Sequence, residues 1–157
     1  MSQGELLSDQ IRRAFDGEAW HGDSLREILA DVNAATASAH SIRNAHSIWE
    51  LILHITCWDR AVITRIGGKA FMPTDEENFP TVKDTSEAAW RTAVEQMKKT
   101  HAELVERVAA FPDERLGEPV PGKKSQPYYT FYYMFSGIVQ HELYHAGQIV
   151  MLKKAAG

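Results

Sequence analysis

"SIWELILHITCWDRAVITRIGG", residues 47–68, decides the fold class. Ile48, Leu51, Ile52, Ile55, Val62, Ile63 and Ile66 recur at the three- and four-residue spacings of a single helical face, and Gly67 with Gly68 stops the run in the manner of a C-cap. A helix from about Ser47 to Ile66 is therefore predicted. Nowhere does the chain alternate apolar and polar residues long enough to argue for a sheet, so the expected class is all-α.

Three further segments carry the same period. Leu6, Leu7, Ile11 and Phe15 mark a helix from about Gly4 to Phe15; "DGEAWHGD" breaks it, and Ser24 caps a short continuation through Leu29, which makes a broken first arm. "KAFMPTDEENFPTVKD" (residues 69–84) forms a long polar connection to a third helix from about Ser86 to Phe111, striped by Trp90, Val94, Met97, Leu104, Val105 and Val108 and stopped by Pro112. A second long connection, "PDERLGEPVPGKKSQP" (112–127), leads to the last helix, about Thr130 to Lys154, with Lys153 and Lys154 at its negative end. Long crossovers of this kind allow a bundle in which consecutive helices are not simple antiparallel neighbours.

Composition narrows the function classes. With 157 residues and 44% hydrophobic content, one domain spanning 1–157 is expected. Seventeen Lys and Arg against 21 Asp and Glu give a net charge of -4, which supplies no cationic footprint for phosphates, so nucleic acid is not an expected partner. Cys57, the single cysteine, cannot form an intrachain disulfide, and a reducing cytoplasm is the expected location. No stretch approaches the roughly 18 apolar residues of a membrane span, so no membrane is expected to be involved.

The chemistry is concentrated in the last helix. Met134, Ile138, His141, His145, Gln148 and Leu152 are spaced 4, 3, 4, 3 and 4 apart and fall on one narrow arc. His141 and His145 thus stack one turn apart on an inward face, where both rings can reach one metal ion. The ordinary alternative is a pair of hydrogen-bonded core histidines. Two desolvated imidazoles left unpaired cost about 1–3 kcal/mol each, a penalty that a metal removes.

"HELYH" (141–145) has the letters of a zinc-peptidase motif but not its continuation. Gln148 and Met151 stand where the extended motif has glycine and histidine, and the 12 residues after His145 contain no Asp, Glu or His. Glu142 lies to the side of the ligand arc and is expected to be a solvent-facing or bundle-edge carboxylate, with a role around the site as the alternative. The third ligand must then come from upstream. His54, on the shoulder of the second helix, is the preferred choice; His101, central on the third helix's stripe, is a serious rival, and pattern alone does not decide between them. His40 and His46 lie in the approach to the second helix, where capping or exposure is the plain expectation, and His21 in "WHG" either lines a pocket or caps a turn.

"GEAWHGDSLREIL", "HSIWELILHITCWDRAV" and "HELYHAGQIVMLKK" together resemble the DinB-like (YfiT-type) metalloenzymes, from about Gly17 to Lys154. The resemblance implies a four-helix bundle of unusual connectivity with one metal-binding histidine on the second helix and two on the fourth. Here these are His54, His141 and His145, which settles the choice against His101. It also implies a divalent ion, zinc or nickel, and a small-molecule substrate, since some relatives transfer low-molecular-weight thiols to electrophiles or isomerise thiol-dependent substrates.

Three neutral histidines leave a metal an open position, where an ion lowers the pKa of a water or holds a thiol as thiolate. A metal-dependent enzyme, a thiol transferase or hydrolase, is the leading expectation; a non-catalytic metal-binding or stress-related interaction protein is the competing one. Gln148 is read as orienting a ring or bound water, with a packing amide as the alternative. Trp20, His21 and Trp49 are weaker pocket candidates, the tryptophans being expected chiefly in the core. Opposite the histidines, Val139, Leu143, Gly147 and Val150 make a second apolar strip, to be buried within the monomer or used in a homodimer.

Overall fold

A computed structural model describes all 157 residues, and they are all-helical apart from turns and loops. The long helices are α1 (Gln3–Asp16), α4 (Ile48–Ile66), α6 (Glu87–Ala109) and α7 (Phe131–Ala156); α2 (Leu25–Leu29), α3 (Ala34–Ser38) and α5 (Asp75–Asn78) are short, and a 3-10 turn covers Asp113–Arg115. Side-chain caps fix where each long helix starts. Ser2, Ser47, Ser86 and Thr130 accept from the backbone N–H groups of Glu5, Glu50, Ala89 and Tyr133. At Ser2 and Ser47 the glutamate reaches back to close a capping box, so two otherwise orphaned donors are satisfied at once.

α4 packs against α6 and α7, and α1 packs against the same two helices, so α1 and α4 occupy diagonal corners of the bundle. The chain crosses that diagonal through α2 and α3: α2 lies on α1 and α7, and α3 bridges α4 and α6. The broken first arm is therefore the device that allows the second long helix to sit opposite the first.

The apolar interior divides into two clusters. One contains Phe15, Ile52, Ile55, Met97, Ala146 and Ile149; the other contains Ile11, Val62, Leu104, Val108, Phe135 and Ile138. On α4, α6 and α7 polar side chains gather between the clusters: His54 and Asp59 flank the gap on α4, His101 stands in it on α6, and His141, Glu142 and His145 do so on α7. A polar layer thus crosses the middle of an otherwise apolar bundle.

Two expectations need correction. Trp20, expected in the core, is fully exposed, because it lies in the surface turn that breaks the chain between α1 and α2. Glu142, expected at the surface or the bundle edge, is 3% exposed. α7 is covered by α1 and α2 on one side and α4 on another, so its buried perimeter is wider than the single arc of the ligand stripe. That wider cover also takes up part of the second apolar strip: Val139 and Val150 pack on the two core clusters, Leu143 is half-buried, and Gly147 is exposed.

Candidate metal centre

α4 and α7 bring three imidazoles together. His54 Nε2 lies 2.9 Å from His141 Nε2, which lies 3.2 Å from His145 Nε2. All three ligand atoms fall within 4.8 Å of one another. Bonds of about 2.0–2.1 Å at tetrahedral angles would put neighbouring nitrogens about 3.3 Å apart, so the two separations that His141 makes are close to those around a shared ion. His101, the rival on pattern, is not part of this group; its Nδ1 faces Asp59 Oδ2 at 3.3 Å on the far side of α4's buried face.

The outer nitrogens decide what the inner ones can do. His54 Nδ1–H donates to the Asn78 carbonyl at 3.1 Å, and His145 Nδ1–H donates to Gln148 Oε1 at 2.6 Å. Each bond places the ring proton on Nδ1 and leaves a bare lone pair on Nε2. Both lone pairs point at His141 Nε2, which carries at most one proton. One of the two short contacts must therefore set lone pair against lone pair unless a cation lies among them. The donor set fits a divalent metal on that count.

Burial favours the neutral, ligating form. His54 and His145 are buried and His141 half-buried, and desolvation, followed by the neighbouring rings His145 and His54, pushes His141 down to about 3. Desolvation likewise lowers His54 and His145. Phe79, delivered by the turn after α5, stacks on His54 with centroids 4.2 Å apart and an 8° tilt, and on its other face stacks on His46 at 3.8 Å. Trp58 closes one flank, its ring 6.0 Å from His141 and its Nε1–H donating to Asn78 Oδ1 at 2.9 Å.

The trio lines one part of a cleft of about 420 Å³ whose other walls include Trp58, Arg65, Tyr129, Tyr133 and Tyr144. Gln148 stands beside the cleft, one turn along α7 from His145. His21 and Trp49 do not reach the cleft: His21 is exposed in a shallow groove with Trp20, Val139 and Leu143, and Trp49 is buried edge-on against Trp90 at 5.2 Å. Glu142 points away from the cleft into the polar layer, where Oε1 has no partner.

The model of the DinB superfamily matches residues 19–149. The chain belongs to the DinB superfamily. Neither the curated proteins nor the solved structures contained a match to it. In this DinB-superfamily chain, sequence reasoning missed Asn78 and Phe79, at the end of the short α5, and the tyrosines of the cleft, which come from the loop before α7 and from the outer face of α7. One signal was available for the first two: Thr74 and Glu77 form a capping box, which marks α5 and hence the carbonyl that orients His54.

Proposed function

We propose that this protein is a divalent-metal-dependent enzyme acting on a small molecule, a thiol transferase or hydrolase, with His54, His141 and His145 holding zinc or nickel. The observation that carries the reading is the pairing of two Nδ1-anchored imidazoles with a third ring, all converging by Nε2 at a cleft rather than in a sealed core. A bound divalent ion would supply Lewis acidity and lower the pKa of a thiol or water in the open position.

The chain's own residues do the rest. Asn78 and Gln148 hold two rings at fixed tautomer and direction, Phe79 restrains His54 by stacking, and Trp58 with the cleft tyrosines limits water around the reacting groups. Membership of the superfamily and the histidine group support metal binding; the reaction class rests on the open cleft beside it. A purely structural ion is the competing reading, favoured by the way the trio joins α4 to α7. A second copy of the chain over the uncovered part of the second strip, Leu143 and Gly147, belongs to the proposal as well, and a monomeric mass at micromolar concentration would remove it.

Protein purified without an affinity tag or added metal is expected to contain close to one equivalent of a divalent ion. His145→Ala is expected to keep the helical circular dichroism spectrum, lose the ion, and lose thiol-dependent turnover of a model electrophile by at least about a hundredfold. Turnover that survives loss of the ion would reject the catalytic reading, and a folded wild-type protein with no affinity for zinc or nickel would reject the site.

A further inference from the structure

Arg65 is the one arginine in the interior, 1% exposed and three turns along α4 from His54. Its Nε–H and an Nη2–H donate to the Phe71 carbonyl at 3.1 and 2.8 Å. Nη1 has only a 3.4 Å contact with the Tyr129 hydroxyl and a 4.0 Å contact with the Met134 sulfur. The arginines that form ion pairs with Asp or Glu, such as Arg12, Arg26 and Arg115, do so at the surface, whereas Arg65 has no carboxylate oxygen within 4.0 Å. A buried cation without a counter-ion is unfavourable, and holding one carbonyl does not require a charge.

The position of that charge gives it a use. Arg65 lines the same cleft as the histidine trio, is its one Lys or Arg, and shares it with no Asp or Glu. Trp58 lies between the two ends, its ring 5.6 Å from the guanidinium carbon and 6.0 Å from the His141 ring. In a chain of net charge -4 this cleft is thus lined by one cation and no anion. Both loosely held contacts of Nη1, Tyr129 and Met134, are cleft residues, so the donor edge that an anion would take lies just behind the cleft wall, where those two side chains would yield to a ligand.

We propose that Arg65 anchors the anionic end of the substrate, so that the cleft takes a small carboxylate-bearing molecule whose other end reaches the histidines. The inference deepens the functional reading above and rests on it for what happens at the histidine end. A carboxylate matches the donors better than a phosphate does: one guanidinium edge and one phenol balance a single negative charge, and a dianion would be left half-neutralised.

The test uses metal-free full-length protein, with hexanoate and hexanamide as probes, followed by tryptophan fluorescence and by the shift in Tm. Hexanoate is expected to bind at least about tenfold more tightly than hexanamide. Arg65→Gln, which keeps amide donors for the Phe71 carbonyl but no charge, is expected to abolish the preference, and Arg65→Lys to restore part of it. Equal binding of the two probes to the wild type, or an undiminished preference in Arg65→Gln, would overturn the proposal. Should Arg65→Gln not fold, Tyr129→Phe carries the test: removing the phenol beside Nη1 is expected to cut the preference several-fold, and no change would count against the anchor. Cobalt(II) loading, read from its visible absorption, separates the two readings. Hexanoate preference without cobalt binding rejects the metal centre and leaves the anion site; cobalt binding without hexanoate preference does the reverse.

Discussion

Single residues in the polar layer set the pH behaviour of the protein. His141 stays neutral in the folded chain down to about 3, whereas in the unfolded chain it protonates near 6.5. Its folded value is the lower one, so the stability it permits is present above 6.5 and lost as pH falls from there towards 3. Glu142 runs the other way. Burial, then the charges of Asp59 and Asp16, raises it well above the ordinary 4.5, so the folded state favours the protonated acid and is penalised as pH rises past the unfolded value. Its Oε1 has no hydrogen-bond partner, which makes ionisation there costly. Glu142→Gln is expected to stabilise metal-free protein by about 1–3 kcal/mol at pH 8. The gain should shrink towards zero near pH 4 and leave the acid-side loss from the histidines more visible. Urea denaturation across pH 4–8 measures both; a variant less stable than wild type at pH 8 would show that Glu142 has a partner when ionised.

At the scale of elements, the four long helices were legible because each carries an apolar stripe several turns long and a Ser or Thr at its start. α3 and α5 were not, since four or five residues are too few to show a period; only Asn33 and the Thr74–Glu77 box announce them. The seam between α1 and α6 was also invisible, because it depends on close approach rather than on apolar content. A Cβ on Gly4 would lie 2.9 Å from both the Val108 and the Phe111 carbonyl oxygens, so α1 can approach the end of α6 only with glycine there. Asp113 locks the same corner, its carboxylate accepting from the Gln3 and Gly4 N–H groups at 2.9 and 3.0 Å. Gly4→Ala would remove a poor helix former yet is expected to destabilise by about 1–3 kcal/mol, because backbone atoms must move to admit the methyl group. A thermal melt decides it: an unchanged or raised Tm would mean that the seam yields without cost.

The site as a whole was less legible than the fold. Spacing gave the pair on α7, but the choice of His54 over His101 needed the resemblance, since both lie on or beside an apolar stripe and only the packing of their helices separates them: α4 lies against α7, whereas α6 lies against α1 and α4. Arg65 gave no signal at all: in a sequence its surroundings are ordinary, and its isolation from carboxylates exists only once the chain has folded. The same folding logic makes the metal a whole-molecule effect. His54 belongs to α4, and His141 and His145 to α7, so an ion held by all three binds the folded chain and has no equivalent site in the unfolded one. Zinc at a thousandfold excess over its dissociation constant adds about 4 kcal/mol of stability by mass action, which for a chain of this size raises Tm by roughly 8–16 °C. Differential scanning calorimetry with zinc, then with a chelator, is expected to show that rise and its reversal. His54→Ala and His145→Ala should each abolish it, and His101→Ala should retain it while lowering the metal-free Tm, because His101 packs on Phe15 at 4.0 Å and pairs with Asp59 in the core. A zinc-dependent rise that is lost in His101→Ala and kept in His54→Ala would move the centre to the other histidine, away from the cleft between α4 and α7.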